Sequence, residues 1–347
     1  MNKFKASRKK SLISLPELLS LMPGKKREIE KEKELHVLAF DERYVEFLRL
    51  LVRHLNKTPI LNLSTIARDA KVSVATAWRL FHLRFEKKGV ELRLEACFPN
   101  LRLKPYVFFI KSTRNLVKEE IPYALGVYQA YRGFKGFLVV SSIPEEYTSK
   151  AVDYMEKYGQ VVDHYELDRC FVTEVNYDFY YTKTPLTEAQ LYQAPLRRID
   201  FDDLDLRILA AMQELQLYPS KIANRLKGNK KTIEYRIKRR VKFLIEGFRA
   251  YLPPKQEVEK FTYAYVVKGP SESFVKVASL PFVKTAIAGK DTLFLIASVP
   301  DEYKGVFLEI MSDVGEWTEA YLGPVFAEKT IPYKYFKAEE KTWMPLQ

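Results

Sequence analysis

The densest cluster of side chains suited to chemistry lies in a predicted helix that runs from Lys230 to about Leu244. Against a single acid, Glu234, the helix carries the cations Lys230, Lys231, Arg236, Lys238, Arg239, Arg240 and Lys242. Cations at this density are typical of a helix that contacts phosphates, and a single helix fits the major groove of DNA. We predict that the base-proximal residues are Lys230, Lys231, Glu234 and Tyr235, and that the phosphate-proximal residues are Arg236, Arg239 and Arg240.

A second, less basic helix is predicted from Val74 to about Lys88, with Ser73 as its N-terminal cap. Its leading turn presents Ser73, Thr76 and Arg79, which are side chains suited to reading base edges. The sequence therefore predicts two unequal DNA-reading heads and an asymmetric target site. Three-helix units also dock proteins, so an adaptor that binds the transcription machinery is the main alternative.

Each of these helices follows two others that would position it. Apolar residues from Tyr44 to Leu55 recur at helical spacing, and a short helix is predicted over Ser64–Asp69. In the second copy the corresponding helices run from Leu204 to Leu215 and from Pro219 to Leu226. The stretch after Gly89 alternates as a strand and is predicted to form a wing, which completes a winged helix-turn-helix.

The sequence contains an internal duplication. Residues Ile143–Tyr147 resemble Val299–Tyr303, and the same offset of 156 positions relates Thr76 to Thr232 and Gly133 to Gly289. We predict the following domains: a basic N-terminal arm, 1–37; a first winged helix-turn-helix, 38–100; a first α/β sandwich, 101–185; a linker, 186–199; a second winged helix-turn-helix, 200–254; and a second α/β sandwich, 255–338.

The second module of each half shows a βαββαβ pattern, typical of a ferredoxin-like sandwich. In the second half a helix is predicted over Ser271–Ser279, and in the first half a helix is predicted near Leu116–Ala124. The predicted fold class is therefore α+β, with two winged helix-turn-helix domains, each followed by a ferredoxin-like sandwich.

Several motifs resemble the leucine-responsive/AsnC (feast/famine) transcription regulators. They are Leu280–Val283 with Gly289–Leu293, Asp205–Leu209, Ile222–Leu226 and, more faintly, Val72–Thr76. The resemblance implies sequence-specific binding of double-stranded DNA and transcription regulation. It also implies sandwich domains that pair, here as an internal pseudo-dimer that could dimerise further, and a small-molecule effector. The effector residues that it implies are Gly133, Gly289 and Asp291, although Lys135 replaces the acid in the first copy and both glycines also suit tight hairpins.

Composition narrows the classes of protein further. The formal net charge of +13 over 347 residues favours a polyanionic partner. No apolar run reaches the roughly 20 residues that span a bilayer and no signal peptide is apparent, so we expect a cytoplasmic protein without a membrane partner. The two cysteines and four scattered histidines favour neither a disulfide framework nor a metal site, and no cofactor is expected.

An enzymatic function is not expected from the sequence. Some tetrapyrrole decarboxylases resemble these regulators in fold, but they carry histidines in the hairpin that corresponds to Gln129–Leu138. Neither that stretch nor Ile287–Phe294 contains a histidine. The sequence also lacks a phosphate-binding glycine loop and a nucleophile elbow. We therefore predict a regulator that is not an enzyme.

Overall fold

The computed structural model describes residues 42–85, 90–251 and 260–346, and the chain is α+β. The basic arm predicted over residues 1–37 lies outside the described residues. The helices are α1 (Glu42–Lys57), α2 (Leu63–Asp69), α3 (Val74–Arg79), α4 (Ala151–Glu156), α5 (Phe179–Thr182), α6 (Asp203–Gln213), α7 (Pro219–Leu226), α8 (Lys230–Arg239), α9 (Phe274–Ala278) and α10 (Asp301–Val314).

The strands are mostly antiparallel neighbours within one large sheet. They are β1 (Glu91–Ala96), β2 (Leu103–Lys111), β3 (Ala124–Arg132), β4 (Gly136–Pro144), β5 (Gln160–Glu166), β6 (Arg169–Cys170), β7 (Val172–Thr173), β8 (Leu191–Tyr192), β9 (Ile245–Tyr251), β10 (Lys260–Lys268), β11 (Val283–Ala288), β12 (Thr292–Pro300), β13 (Glu316–Glu328), β14 (Phe336–Lys337) and β15 (Thr342–Trp343). The first residues of α2, α3, β4 and β5 recur 156 positions later as those of α7, α8, β12 and β13. The elements thus repeat with the period seen in the sequence.

Three helices open each half, and we call α1–α3 the first three-helix unit and α6–α8 the second three-helix unit. The Asn62 and Ser73 side chains cap α2 and α3 by accepting backbone N–H groups, and Asn229 caps α8 in the same way. Helix α8 ends at Arg239, earlier than predicted, and a 3-10 turn over Val241–Phe243 follows it. Helix α3 ends at Arg79 and continues as a π-helical turn to Phe85.

The strand expected to form a local wing instead joins the two halves. Strand β1 pairs antiparallel with β9, which comes from the other half of the chain, and we call this pair the ribbon. Leu94 and Phe248 are paired on the face that packs against the helices, whereas Arg93 and Arg249 are paired on the opposite face. The ribbon forms across the halves because both of its faces are covered, so its apolar residues leave water entirely.

Amide side chains hold each three-helix unit to the opposite half. Asn56 on α1 accepts the backbone N–H of Phe248 at 2.7 Å and donates to its carbonyl at 3.0 Å. Gln213 on α6 donates to the Leu94 carbonyl of β1 at 3.5 Å, and it also accepts the N–H of Ile331, in its own half, at 2.8 Å. These contacts satisfy backbone groups that would otherwise be buried without a partner, so they fix the helices over the ribbon.

The large sheet of nine strands has the order β5-β2-β4-β3-β13-β10-β12-β11-β6. Each half contributes four strands in the order expected for a βαββαβ sandwich, and the halves meet where β3 pairs with β13 and β11 pairs with β6. Only Leu167 and Asp168 separate β5 from β6 along the chain, so the sheet returns to its own beginning. The two halves therefore form one continuous core.

Two predicted elements of the sandwiches differ in the structure. The helix expected near Leu116–Ala124 is only a 3-10 turn over Leu116–Lys118, whereas its repeat-related helix α9 does form, after a 3-10 turn over Ser271–Ser273. Pro122 contributes to this difference: it corresponds to Ala278, the last residue of α9, and proline has no backbone N–H to donate and disfavours helical backbone at the residue before it. The segment predicted as a linker contains β8, which pairs with β7.

The hairpin between β3 and β4 requires glycine at position 133, so substitution there should destabilise the protein. Gly133 has a φ of 77°, and a Cβ atom there would collide with the Glu319 carbonyl oxygen of β13. We expect Gly133→Ala to lower the free energy of unfolding by about 2 kcal/mol, measured by urea denaturation. Gly305→Ala is the matched control, because that exposed position in α10 has nothing within 4 Å of the added Cβ. It should instead stabilise the protein by up to about 1 kcal/mol; equal losses in both variants would contradict the hairpin argument.

Candidate functional site

The outward side of α8 carries five of the ten predicted DNA-binding residues. Ile233 and Ile237 are buried and fix the helix on α7, which leaves Lys230, Lys231 and Arg239 exposed to solvent. Tyr235 lies among these cations with 63% of its surface exposed. Glu234 forms an ion pair with Lys238 at 2.6 Å, and that hydrogen bond lowers the pKa of Glu234. This face can therefore present several cations and one aromatic ring to a polyanion.

Two of the arginines predicted to contact phosphates face inward instead. Arg236 contacts Asp202 at 2.7 Å and the fully buried Asp205 at 3.0 Å, and Arg240 contacts the same two carboxylates at 3.1 and 3.2 Å. Asp202 and Asp205 form a capping box at the start of α6. Arg236 and Arg240 therefore connect α8 to α6, and the phosphate-binding role predicted for them has no support from their position.

These two carboxylates respond differently to their surroundings. Burial raises the pKa of Asp205, although the Asp202 backbone and Arg236 work against it. Burial also acts to raise the pKa of Asp202, but hydrogen bonds from Arg236 and from the Asp205 backbone leave that pKa below its usual value. The cluster thus holds a charged carboxylate between two guanidinium groups, which is an arrangement for stability and not for ligand binding.

The outward face of α3 in the first three-helix unit is more apolar. Ser73 and Thr76 hydrogen-bond each other at 2.9 Å within the cap, and Arg79 is exposed. The adjacent surface is Val74, 51% exposed, and Trp78, 49% exposed. The positions related by the repeat are Lys230 for Val74 and Glu234 for Trp78, so the two faces have diverged in chemistry. The adaptor alternative, which rests on the use of three-helix units as protein-docking modules, stays a prediction.

The effector residues implied by the family resemblance occupy two separate hairpins. Gly133 lies against Glu319 of the second half, and Gly289 lies against Glu166 of the first half. The exposed Asp291 accepts a hydrogen bond from its neighbour Thr292 at 3.0 Å. All three residues have contacts within or beside their hairpin turns, and their effector role stays a prediction.

A cavity of about 1010 Å³ lies between the ribbon and the large sheet. Arg93 reaches it from β1, donating to Glu328 at 3.0 Å, to Thr285 at 3.1 Å and to Glu91 at 3.3 Å. Tyr128 donates to Glu328 at 2.8 Å. Although burial opposes it, the carboxylates of Glu328 and Glu91 raise the pKa of Arg93 above its usual value. Arg93 is therefore a fixed cation in the wall of the cavity.

Sequence reasoning did not identify the cavity, although one signal points to it. Charged residues occupy alternate positions at Glu91, Arg93 and Glu95, in a strand whose other positions are Leu92 and Leu94. Charges that alternate with leucines normally indicate a strand with one face in water. Here that face is turned into the protein, because the strand lies in the ribbon between helices and sheet.

Across residues 42–85, 90–251 and 260–346, no three His, Cys, Asp or Glu side chains are grouped so that they could hold a metal ion. No helix in those ranges is both long and apolar enough to cross a membrane.

The chain is similar in overall arrangement to a few solved structures. No protein-family model and no curated protein matches it. A crystal structure of the siroheme decarboxylase NirDL has a TM-score of 0.46 at 16% identity and covers 82% of this chain and 93% of that one. The same enzyme with an iron-uroporphyrin III analogue has a TM-score of 0.49 at 15% identity and covers 84% of this chain and 94% of that one. An AsnC family transcriptional regulator from Agrobacterium tumefaciens has a TM-score of 0.28 at 18% identity, over 37% of this chain and 88% of that one.

These comparisons correct one prediction. The sequence predicts that the chain is not an enzyme, and that exclusion is contradicted because two of the similar structures are of a decarboxylase. The absence of histidine from two hairpins was too narrow a criterion, since it ignored the carboxyl, phenol and thiol groups that other elements bring to the cavity.

Proposed function

We propose that the chain is a transcription regulator that binds double-stranded DNA, mainly through the outward face of α8. The observation that carries this proposal is the exposure of Lys230, Lys231 and Arg239 along one helix, which carries a single, ion-paired acid. Phosphate contacts require cations that are free to approach the backbone, and these three are.

The placement of α8 also suits groove binding. The helix begins at an exposed end capped by Asn229, so Lys230 and Lys231 lead it, and they would be the first residues to meet base edges. Tyr235 follows one turn later on the same side. Ser73, Thr76 and Arg79, at the cap and along α3, would form a second, weaker contact, and the two three-helix units would read different half-sites.

An asymmetric target follows from the unequal heads. Selection from a random pool of duplex DNA should recover sites without inverted symmetry. Recovery of perfect inverted repeats by the monomeric chain would contradict this reading, because a palindrome requires two equivalent heads.

Removal of the three exposed cations of α8 is the direct test of the interface. We expect the combined variant Lys230→Ala, Lys231→Ala and Arg239→Ala to weaken binding to a selected duplex by about 100-fold, and to reduce the slope of log affinity against log salt by roughly 2–3. Fluorescence anisotropy over a range of salt concentrations measures both quantities. A matched control removes three exposed lysines of the sheet region, Lys135, Lys150 and Lys290. Equal effects of the two triple variants would show that only net charge matters and would reject α8 as the interface.

A second candidate function is catalysis in the cavity. The observation that favours it is the convergence of Arg93, Glu95, Tyr128 and Cys170 on one volume, since such groups bind substrates and transfer protons in enzymes. Siroheme, named as the substrate class of two similar structures, is the first compound to test. Mass spectrometry after incubation would show loss of carboxyl groups, and unchanged siroheme would remove that reaction.

A further inference from the structure

The two halves differ sharply at the position of α9. In the second half the buried residues Phe274, Val275, Val277 and Ala278 of α9 fill the space beside the sheet. The residues 156 positions earlier are Lys118, Glu119, Ile121 and Pro122, and the chain there makes only a 3-10 turn. Lys118, Glu119 and Ile121 line the cavity. The cavity therefore occupies the place that a helix fills in the other half.

The paired arginines of the ribbon show the same divergence. Arg249 is 2% exposed, and its guanidinium donates to the carbonyl oxygens of Ala278, Leu280 and Val283, around the end of α9. Arg93 is its counterpart in the repeat, but its hydrogen bonds go to side chains that border the cavity. Arg249 thus binds only backbone carbonyls of the described core, whereas Arg93 borders the open cavity.

Glu95 is one of two acids of the wall that have no ion-pair partner among the described residues, and it is the less exposed of the two, because Glu120 lies at the surface. Its carboxylate contacts the Cys170 thiol at 3.5 Å, while Glu328 and Glu91 have Arg93 as an ion-pair partner. The charged and titratable groups around Glu95 are Arg93, Arg249, Glu328 and Cys170. Burial raises the pKa of Glu95, and the charge of Arg93 only partly opposes this. A buried carboxyl in this position is costly to ionise unless a positive group reaches it.

The whole lining is more acidic than the rest of the protein. It contains the acids Glu91, Glu95, Glu119, Glu120, Glu214 and Glu328 and the cations Arg93, Lys118, Lys329 and Lys334. An excess of carboxylates in a chain of net charge +13 is the reverse of what a polyanion such as DNA requires. Apolar residues from the ribbon and from β3, β11 and β12 form much of the remaining wall.

We propose that the cavity binds a small organic cation, an amine or guanidinium carried on a hydrocarbon body, whose charged group pairs with Glu95. The size suits this occupant, since ligand pockets are roughly 300–1,000 Å³. The hydrocarbon body would lie on the apolar wall, and the excess of carboxylates would exclude compounds that carry several carboxylates. This proposal does not depend on DNA binding, because α8 does not line the cavity.

Isothermal titration of the full chain with agmatine and with spermidine tests the proposal. We expect one-to-one binding and a higher melting temperature with at least one of these cations, and neither effect with glutarate or siroheme. Glu95→Gln should weaken the binding at least about tenfold, whereas Glu156→Gln, at an exposed position of α4, should leave it unchanged. Val117→Trp, which adds bulk to the wall, should also weaken it.

A second readout separates a role in binding from a role in folding. The cation should favour ionised Glu95, so binding at weakly acidic pH should release protons, and the measured heat should then vary with the ionisation heat of the buffer. That variation should vanish in Glu95→Gln. Absence of binding by both cations, equal binding of glutarate, or preferential binding of siroheme would each overturn the proposal, as would an unchanged affinity in Glu95→Gln or, if that variant does not fold, in Val117→Trp.

Discussion

Replacement of Arg249 by alanine is expected to lower the free energy of unfolding by about 4 kcal/mol, the largest effect of any change considered for this protein. The Arg249 guanidinium is buried and donates to three carbonyl oxygens, at 3.0 Å to Val283, 2.5 Å to Ala278 and 2.7 Å to Leu280. Burial lowers the pKa of Arg249 to about 10, so it is still a cation at neutral pH. Without it, three carbonyl oxygens lose a charged donor, and the side-chain link from β9 to the end of α9 is removed.

Urea denaturation followed by circular dichroism measures this loss. Arg249→Lys keeps the charge but cannot reach three carbonyls with a planar fork, so we expect it to retain less than half of the stabilisation. Arg207→Ala is the matched control, because Arg207 is exposed and, among the residues that the structure describes, forms an ion pair only with Asp203, at 3.5 Å. That control should change the stability by less than about 0.5 kcal/mol. A similar small change for Arg249→Ala would mean that solvent reaches those carbonyls.

Substitutions of two arginines on the same helix should have different effects: Arg236→Ala should lower stability, and Arg239→Ala should weaken DNA binding. Arg236→Ala removes the ion pairs to Asp202 and to the buried Asp205, and we expect a loss of about 2 kcal/mol in the free energy of unfolding. This loss of stability should be smaller than the loss for a buried carboxylate without any cation nearby, because Arg240 still contacts Asp205 at 3.2 Å. Arg239→Ala should leave the stability unchanged and weaken DNA binding, because Arg239 is exposed.

The two variants serve as controls for each other when unfolding and salt-dependent DNA binding are measured on both. Asp205→Asn in the Arg236→Ala background should recover part of the lost stability, since the buried charge is then removed together with its partner. If Arg236→Ala altered the salt slope as much as Arg239→Ala while leaving the stability intact, Arg236 would be a phosphate contact after all.

The sequence anticipated the parts of the fold that depend on local signals. The caps at Ser73 and the proline start of α7 are encoded within a few residues, and the repeat spacing gave the second half its element order. The helical period also predicted that one side of α8 would be buried. It could not show that Arg236 and Arg240 border that side, because their partners Asp202 and Asp205 precede them by some thirty residues and meet them only once α6 has packed.

The cavity and the ribbon could not be predicted, because both are formed by contacts between the two halves and local sequence patterns carry no information about such contacts. A wing and a ribbon have the same alternation of residues, and only the pairing of β1 with β9 distinguishes them. Likewise, a helix was predicted before Ala124 by analogy with the segment 156 residues later, which does form helix α9. The first copy contains Pro122 and forms only a 3-10 turn there. Duplicated sequences predict the shared architecture well, and they predict poorly the places where one copy has acquired a different role.

The replacement of α9 by an open space in one half sets the stoichiometry of any occupant. A symmetric dimer of identical chains would present two equivalent cavities, and binding at one could influence its twin. Here helix α9 and Arg249 fill the corresponding place, so within the described part of the second half the cavity has no equivalent at that place. Saturation of that cavity should follow a simple hyperbola with a Hill coefficient of about one, and any sigmoidal response would have to come from association between chains.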